Sequence, residues 1–123
     1  MSSRFSIGND IVEIRRIRQL INQYGPRFFK HVFTNREVEW CNQRMEPSVH
    51  LAGRFAAKEA IKKALMALGE PETIPLRSIE IFREDGQPPK VELHCELSRL
   101  YRVQVSISHT NSTATAVAFM EVE

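Results

Sequence analysis

Residues 51–65, Leu-Ala-Gly-Arg-Phe-Ala-Ala-Lys-Glu-Ala-Ile-Lys-Lys-Ala-Leu, contain no proline and are dominated by alanine and other good helix formers. The run ends at Gly69, a residue that readily takes the left-handed turn after a helix. The spacing predicts one long central helix over about Val49–Leu68, and the rest of the chain is expected to pack around it. Its charges are the exception to its apolar character. Arg54, Glu59 and Lys63 interrupt the run, and Glu59 and Lys63, four residues apart, share a face. Taken alone, that pair reads as a surface ion pair.

The segments before this helix read as one strand and three short helices. Phe5-Ser6-Ile7-Gly8 is a short strand that Gly8-Asn9-Asp10 is expected to break. Ile14, Ile17, Leu20, Ile21 and Tyr24 recur at helical spacing, and Gly25-Pro26 ends that helix. Phe28, Phe29, Val32 and Phe33 form an apolar cluster on a single helical turn. Thr34-Asn35-Arg36-Glu37 matches a capping box, which predicts a helix through Trp40 to about Arg44, with Glu46-Pro47-Ser48 as a linker.

After the long helix, residues 69–75 cannot remain helical. Ile79–Phe82 and Lys90–His94 alternate apolar and polar residues around Asp85-Gly86-Gln87-Pro88-Pro89, the composition of a β-hairpin with a long turn. One or two helical turns are expected over Glu96–Tyr101. Two further strands, Val103–Ile107 and Ala114–Met120, flank a polar connection at 108–112. This order predicts a single α+β domain over residues 1–123, with an antiparallel sheet packed against the long central helix.

With 42% hydrophobic and 26% charged residues the composition is that of an ordinary soluble protein. No run is long enough to span a membrane, and no signal-peptide core precedes the first strand, so a cytoplasmic protein without a membrane partner is expected. Cys41 and Cys95 have no metal-ligand spacing and are expected to be reduced and to act as small apolar residues. The net charge of +2 conceals an asymmetry: residues 1–63 carry twelve Lys/Arg against six Asp/Glu. From Ile14 to Arg36 there are Arg15, Arg16, Arg18, Arg27, Lys30 and Arg36 and no acidic residue, which points to an anionic partner.

Three groups stand out as chemistry. Asp10 follows a strand and a glycine, where an aspartate serves either as a helix N-cap or as a ligand. Glu59 lies among Ala56, Ala57 and Ala60, and two carboxylates from separate elements are the usual protein share of a Mg²⁺ site. His109 lies among Ser108, Thr110, Asn111 and Ser112, either as a polar surface residue or as part of an anion-binding neighbourhood.

Gly8-Asn9-Asp10-Ile11-Val12-Glu13, Phe33-Thr34 with Glu37, Leu51 to Ala60 with Lys63, and Val105-Ser106-Ile107-Ser108-His109-Thr110 together resemble the holo-acyl-carrier-protein synthase family of 4′-phosphopantetheinyl transferases, in order and spacing over nearly the whole chain. The resemblance implies transfer of 4′-phosphopantetheine from coenzyme A to a serine of an apo-acyl carrier protein, with release of adenosine 3′,5′-bisphosphate. It implies Asp10 and Glu59 as Mg²⁺ ligands, and Asp10, Glu59 and Lys63 as the catalytic group, with Lys63 also on the coenzyme A phosphates. Arg54, Ser108, His109 and Thr110, with Gly86, Gln87 and Pro88 of the hairpin turn, match positions around coenzyme A. Arg15, Arg16 and Arg27, with Phe28 as apolar neighbour, would dock the acidic carrier protein, and Arg18 shares that basic helix. The small members of the family assemble as trimers with each active site between two subunits, so a homotrimer is expected. The proton of the attacking serine is left with two acceptors, Glu59 or a metal-bound water held by Asp10. The competing reading, a module binding nucleic acid through its Arg-rich helix, gives no role to Asp10, Glu59 and Lys63.

Overall fold

The computed structural model describes residues 4–123, apart from the side chain of Cys95, so the expectation for that thiol lies outside the described residues. Five strands and four helices follow one another as β1 (Phe5–Glu13), α1 (Ile14–Tyr24), α2 (Pro26–Val32), α3 (Asn35–Asn42), α4 (Pro47–Ala67), β2 (Ile79–Phe82), β3 (Lys90–Leu93), β4 (Tyr101–His109) and β5 (Thr113–Val122). Strands β1, β5 and β4 form an antiparallel sheet in that spatial order, and β2 and β3 form a separate hairpin.

The central helix is as expected, beginning two residues earlier. Pro47 is its first-turn residue, where a missing N–H leaves no gap, so Glu46-Pro47-Ser48 leads into the helix and is not a linker. Leu51, Ala52, Ala56, Ala57, Ala60, Ile61, Ala64 and Leu65 are all buried. The alanines let the sheet approach closely. A Cβ placed on Gly8 would stand 1.9 Å from the Ala60 carbonyl oxygen, so β1 can cross α4 there only with a glycine.

That crossing corrects the reading of the N-terminal strand. Gly8-Asn9-Asp10 does not break it: the β1–β5 ladder runs without interruption from Phe5↔Glu121 to Glu13↔Thr113, so Gly8 serves close packing and not a turn. Asp10 is a mid-strand residue opposite Ala116, and the N-cap position of α1 falls to Glu13, whose side chain makes no capping bond. The C-terminal strands are likewise longer than their alternating cores, and Ser108 and His109 belong to β4 and not to the connection. Residues 95–99 form a 3₁₀ turn, and Tyr101 already belongs to β4. A further 3₁₀ turn at Leu76–Ser78, not foreseen, precedes β2.

The capping box is present in full, with the Glu37 amide donating to Thr34 Oγ1 at 3.2 Å and the Thr34 amide to Glu37 Oε1 at 2.8 Å. Its carboxylate does more. Glu37 Oε1 also pairs with Lys58 Nζ at 2.8 Å, and Oε2 accepts the Ile81 amide at 2.8 Å. Both side chains are fully buried, and Lys58 completes its shell on the carbonyls of Leu76 and Ile79. Burial pushes the Lys58 pKa down, against the pull of Glu37. This ion pair joins α3, α4 and the hairpin at one point, and every donor and acceptor around it is used.

Candidate active site

Asp10, Glu59 and Lys63 meet where β1 crosses α4. Even-numbered residues of β1 face the helix, and from there Asp10 accepts a bond from Lys63 Nζ at 3.1 Å, while the same ammonium donates to the Asn9 carbonyl at 3.0 Å. Lys63 therefore pairs with Asp10 and not with Glu59, which corrects the i,i+4 pair expected from sequence. Glu59 is half-buried; burial and then the nearby Asp10 charge push its carboxyl above the usual range, against the attraction of Lys62, Lys63 and Arg16. Two carboxylates that repel each other beside a lysine are a group that a divalent cation would relieve.

The second group lies on the far side of the helix. Arg54 is nine residues from Lys63, which places the two about 180° apart at 3.6 residues per turn. Its guanidinium carbon stands 4.1 Å from the centre of the Trp40 ring, and that of Arg44 stands 3.7 Å from the same ring. Arg54 is 5% exposed, and its Nε is a buried polar atom with no partner among the described residues. His50, one turn earlier on α4, meets Trp40 edge to face at 5.5 Å and His109 at 6.2 Å between ring centres. The hairpin turn belongs to this side: Arg44 pairs with Asp85 at 3.3 Å, beside Gly86, which has a positive φ of 76°. Gly86 and Pro88 are both exposed.

One chain thus does not bring all the expected residues together. Asp10 is on the edge strand β1 and His109 on the opposite edge strand β4, with β5 between them, so their backbones are about 10 Å apart or more. Ser108 and His109, as strand neighbours, face opposite sides of the sheet. Thr110 closes the β4–β5 turn, its hydroxyl accepting the amides of Ser112 at 3.2 Å and Thr113 at 3.1 Å. Sequence reasoning missed Trp40, Arg44, His50 and Arg83 around Arg54. Only His50 carried a signal there, its i,i+4 relation to Arg54.

Arg15 and Arg16 on α1 and Arg27 on α2 are exposed as expected. Arg16 lies near enough to Glu59 to act on its ionisation, which sets α1 beside the Asp10–Glu59 group. Phe28 is only 8% exposed and packs on Phe33 and Phe55, so it belongs chiefly to the core. Its free edge joins Leu20, Tyr24, Arg27 and His31 around a shallow apolar recess of about 240 Å³.

A third cluster is spent on structure. Glu80, Glu92 and His94 hold ligand atoms within 4.8 Å of one another on the hairpin. Arg36 already neutralises both carboxylates, at 2.8 Å from Glu80 and 3.3 Å from Glu92. Burial raises the Glu80 pKa, but bonds from Thr34, Arg36 and His94 outweigh it and hold the carboxyl below its usual range. Cys41 is a buried free thiol whose pKa burial raises to about 11, an inert apolar residue as expected.

The chain matches the family model of the 4′-phosphopantetheinyl transferase superfamily over residues 6–118. A holo-[acyl-carrier-protein] synthase of Chlorobaculum parvum is 46% identical over 116 residues, covering 94% of this chain and 97% of its own. That of Protochlamydia amoebophila is 44% identical, over 91% of this chain and 93% of its own. Among solved structures, the ACPS–CoA complex of Chronobacterium ammoniagenes superposes with a TM-score of 0.83 at 27% identity, covering 98% of each chain. A holo-(acyl-carrier-protein) synthase of Bacillus anthracis in complex with CoA (3′,5′-ADP) gives 0.80 at 28%, over 99% of this chain and 100% of the other.

Proposed function

Because this chain belongs to the 4′-phosphopantetheinyl transferase superfamily, we propose that it transfers 4′-phosphopantetheine from coenzyme A to a serine of an apo-acyl carrier protein, in sites completed between copies of a homotrimer. The observation that carries this reading is the division of α4. Its Glu59–Lys63 end meets Asp10 on one side, and on the other Arg54 is buried with its Nε unpartnered among the described residues, so a pyrophosphate and a nucleotide end would each find a half-site.

Asp10 and Glu59 would hold Mg²⁺, and the mutual repulsion of their charges fits them for it. The ion would supply charge neutralisation at the pyrophosphate. In the transfer, the serine oxygen bonds to the β-phosphorus as the bond from that phosphorus to the oxygen of the nucleotide phosphate breaks, releasing adenosine 3′,5′-bisphosphate. The Lys63 ammonium offsets the charge that develops on the leaving phosphate. The serine proton would pass to the Glu59 carboxylate. Arg54, Arg44 and His109 bind the nucleotide end, and Arg15, Arg16 and Arg27 steer the acidic carrier protein to the Glu59 side.

Support for assembly comes from the sheet. Its face away from α4 exposes Phe5, Ile7, Ile11, Val117 and Phe119 on adjacent strands, a continuous apolar surface of the kind that marks an interface. A cytoplasmic enzyme of lipid synthesis is in keeping with this substrate pair, and no helix of the described residues is long and apolar enough to cross a membrane.

The reading is tested by incubating the protein with coenzyme A, Mg²⁺ and an apo-acyl carrier protein and weighing the carrier by mass spectrometry. A gain of one phosphopantetheine is expected, lost with Glu59→Gln and on chelation of the metal. An unchanged carrier mass across several acidic carriers would overturn the reading.

A further inference from the structure

The proposed nucleotide half-site contains a group that neither its arginines nor the proposed transfer requires. His50 stands between Trp40 and His109 with both ring contacts edge to face, and its ring nitrogens have no hydrogen-bond partner among the described residues. The charged groups around it come from every packed element and are all cationic or neutral. Arg54 lies one turn on along α4, Arg44 follows α3, Arg83 follows β2, and His109 ends β4. Of the nearby acids, Asp85 is on Arg44 at the surface, Glu37 is on Lys58 behind Arg54, and Glu46, the N-cap residue of α4, is exposed to solvent.

His109 is tied in one tautomer. Its Nδ1 lies 3.2 Å from the Thr110 carbonyl, which only accepts, so Nδ1 carries a proton and Nε2 is left for a ligand or a second proton. His50 has no such tie, and burial and then the charges of Arg54, His109, Arg44 and Arg83 lower its pKa, so near neutral pH it is an uncharged ring in a cationic wall. Resting on the coenzyme A reading, we propose that His50 is a proton-taking ligand for the ribose phosphate of coenzyme A, so that capture of this dianion is coupled to uptake of a proton by the His50 ring. The proton comes from solvent and resides on a ring nitrogen that then donates to a phosphate oxygen. No bond of the ligand is broken. The sign follows: the bound dianion raises the pKa of His50, so binding strengthens as pH falls through the interval between the free and bound values.

The probes are coenzyme A and 3′-dephospho-coenzyme A, which differ only in that phosphate, titrated calorimetrically into the full chain from pH 6 to pH 8.5 in buffers of different ionisation enthalpy. A one-unit rise in the His50 pKa makes coenzyme A bind roughly threefold more tightly at pH 6 than at pH 8.5, approaching about tenfold only well below the free pKa, with net proton uptake near pH 7. Dephospho-coenzyme A shows no uptake, and His50→Gln removes the larger part of it for coenzyme A. Nitrogen-detected NMR of the native His50 ring shows its pKa rising on saturation with coenzyme A, a readout that needs no variant. The inference is overturned if coenzyme A outbinds its dephospho form while the uptake is unchanged in His50→Gln, or if the His50 resonance titrates identically with and without ligand. Failure of either nucleotide to bind at any pH would overturn the coenzyme A reading as well.

Discussion

Arg54 and Lys63 lie on opposite sides of one helix: Arg54 stacks on Trp40 beside β4, and Lys63 binds Asp10 on β1. No side-chain rearrangement within a single chain brings them to one small ligand, because α4 itself stands between them. The homotrimer proposed above would do so with a second copy.

Mixed assemblies test this directly. Glu59→Gln disables the β1 side and Arg54→Gln the Trp40 side, and each variant alone is expected to be inactive. Refolded together in equal amounts, they form some sites that take both intact halves from different subunits. About a quarter of native activity is expected from random mixing around a cyclic assembly. Recovery indistinguishable from the separate variants would place both halves within one chain.

Charge reversal at Arg15, Arg16 and Arg27 probes the docking surface. The exposed arginines should act on encounter, so the triple change to Glu should raise KM for an acidic carrier by roughly tenfold and leave kcat nearly unchanged. Raising salt should narrow the gap between native and variant, measured by initial rates. A large fall in kcat with unaltered KM would remove these residues from docking.

Glu59 links metal, pH and stability. Its carboxyl pKa is raised in the folded chain, so ionising it opposes folding, and the native state loses stability as pH rises from the ordinary carboxyl value through the raised one. Glu59→Gln should therefore raise the metal-free Tm at pH 7 by about 1–3 °C and have little effect near pH 4. Mg²⁺ should raise the native Tm at pH 7 and leave that of the variant unmoved. Scanning calorimetry with and without chelator reads both.

The Lys58–Glu37 pair carries the opposite expectation. Lys58→Met leaves the Glu37 carboxylate without its buried counter-charge, and a loss of about 3–5 kcal/mol is expected in urea unfolding. The double change Lys58→Met with Glu37→Gln, which removes the charge and keeps an acceptor for the Ile81 amide, should recover part of it. A loss under about 1 kcal/mol for the single change would mean that water reaches the site.

The packing of β1 on α4 is equally narrow. Gly8→Ala should destabilise by about 3 kcal/mol, because its methyl group would fall on backbone, which cannot rotate away as a side chain can. A variant with native stability would show that the two elements can separate.

Helix α4, the capping box at Thr34 and the hairpin around Asp85 were legible because each is encoded by neighbours in sequence: alanine content, a three-residue spacing and a turn composition. The family motif likewise named Asp10, Glu59, Lys63, Arg54 and His109 as a set. Strand β1 was misread at Gly8 because a glycine that permits close packing looks in sequence like one that permits a turn. The Lys58–Glu37 ion pair went unforeseen for a similar reason, since it spans 21 residues and leaves no local pattern.

By itself, then, the order of residues determined which segments are helical or extended and which side chains are candidates for the chemistry, since propensity and spacing act within a few residues. Which charges meet was decided only by the tertiary structure. The crossing of β1 over α4 turned Lys63 away from Glu59 and onto Asp10, and the same helix kept Arg54 from both. Contact between residues far apart in the chain depends on the distance across a packed core, and that distance is written in no single stretch of sequence.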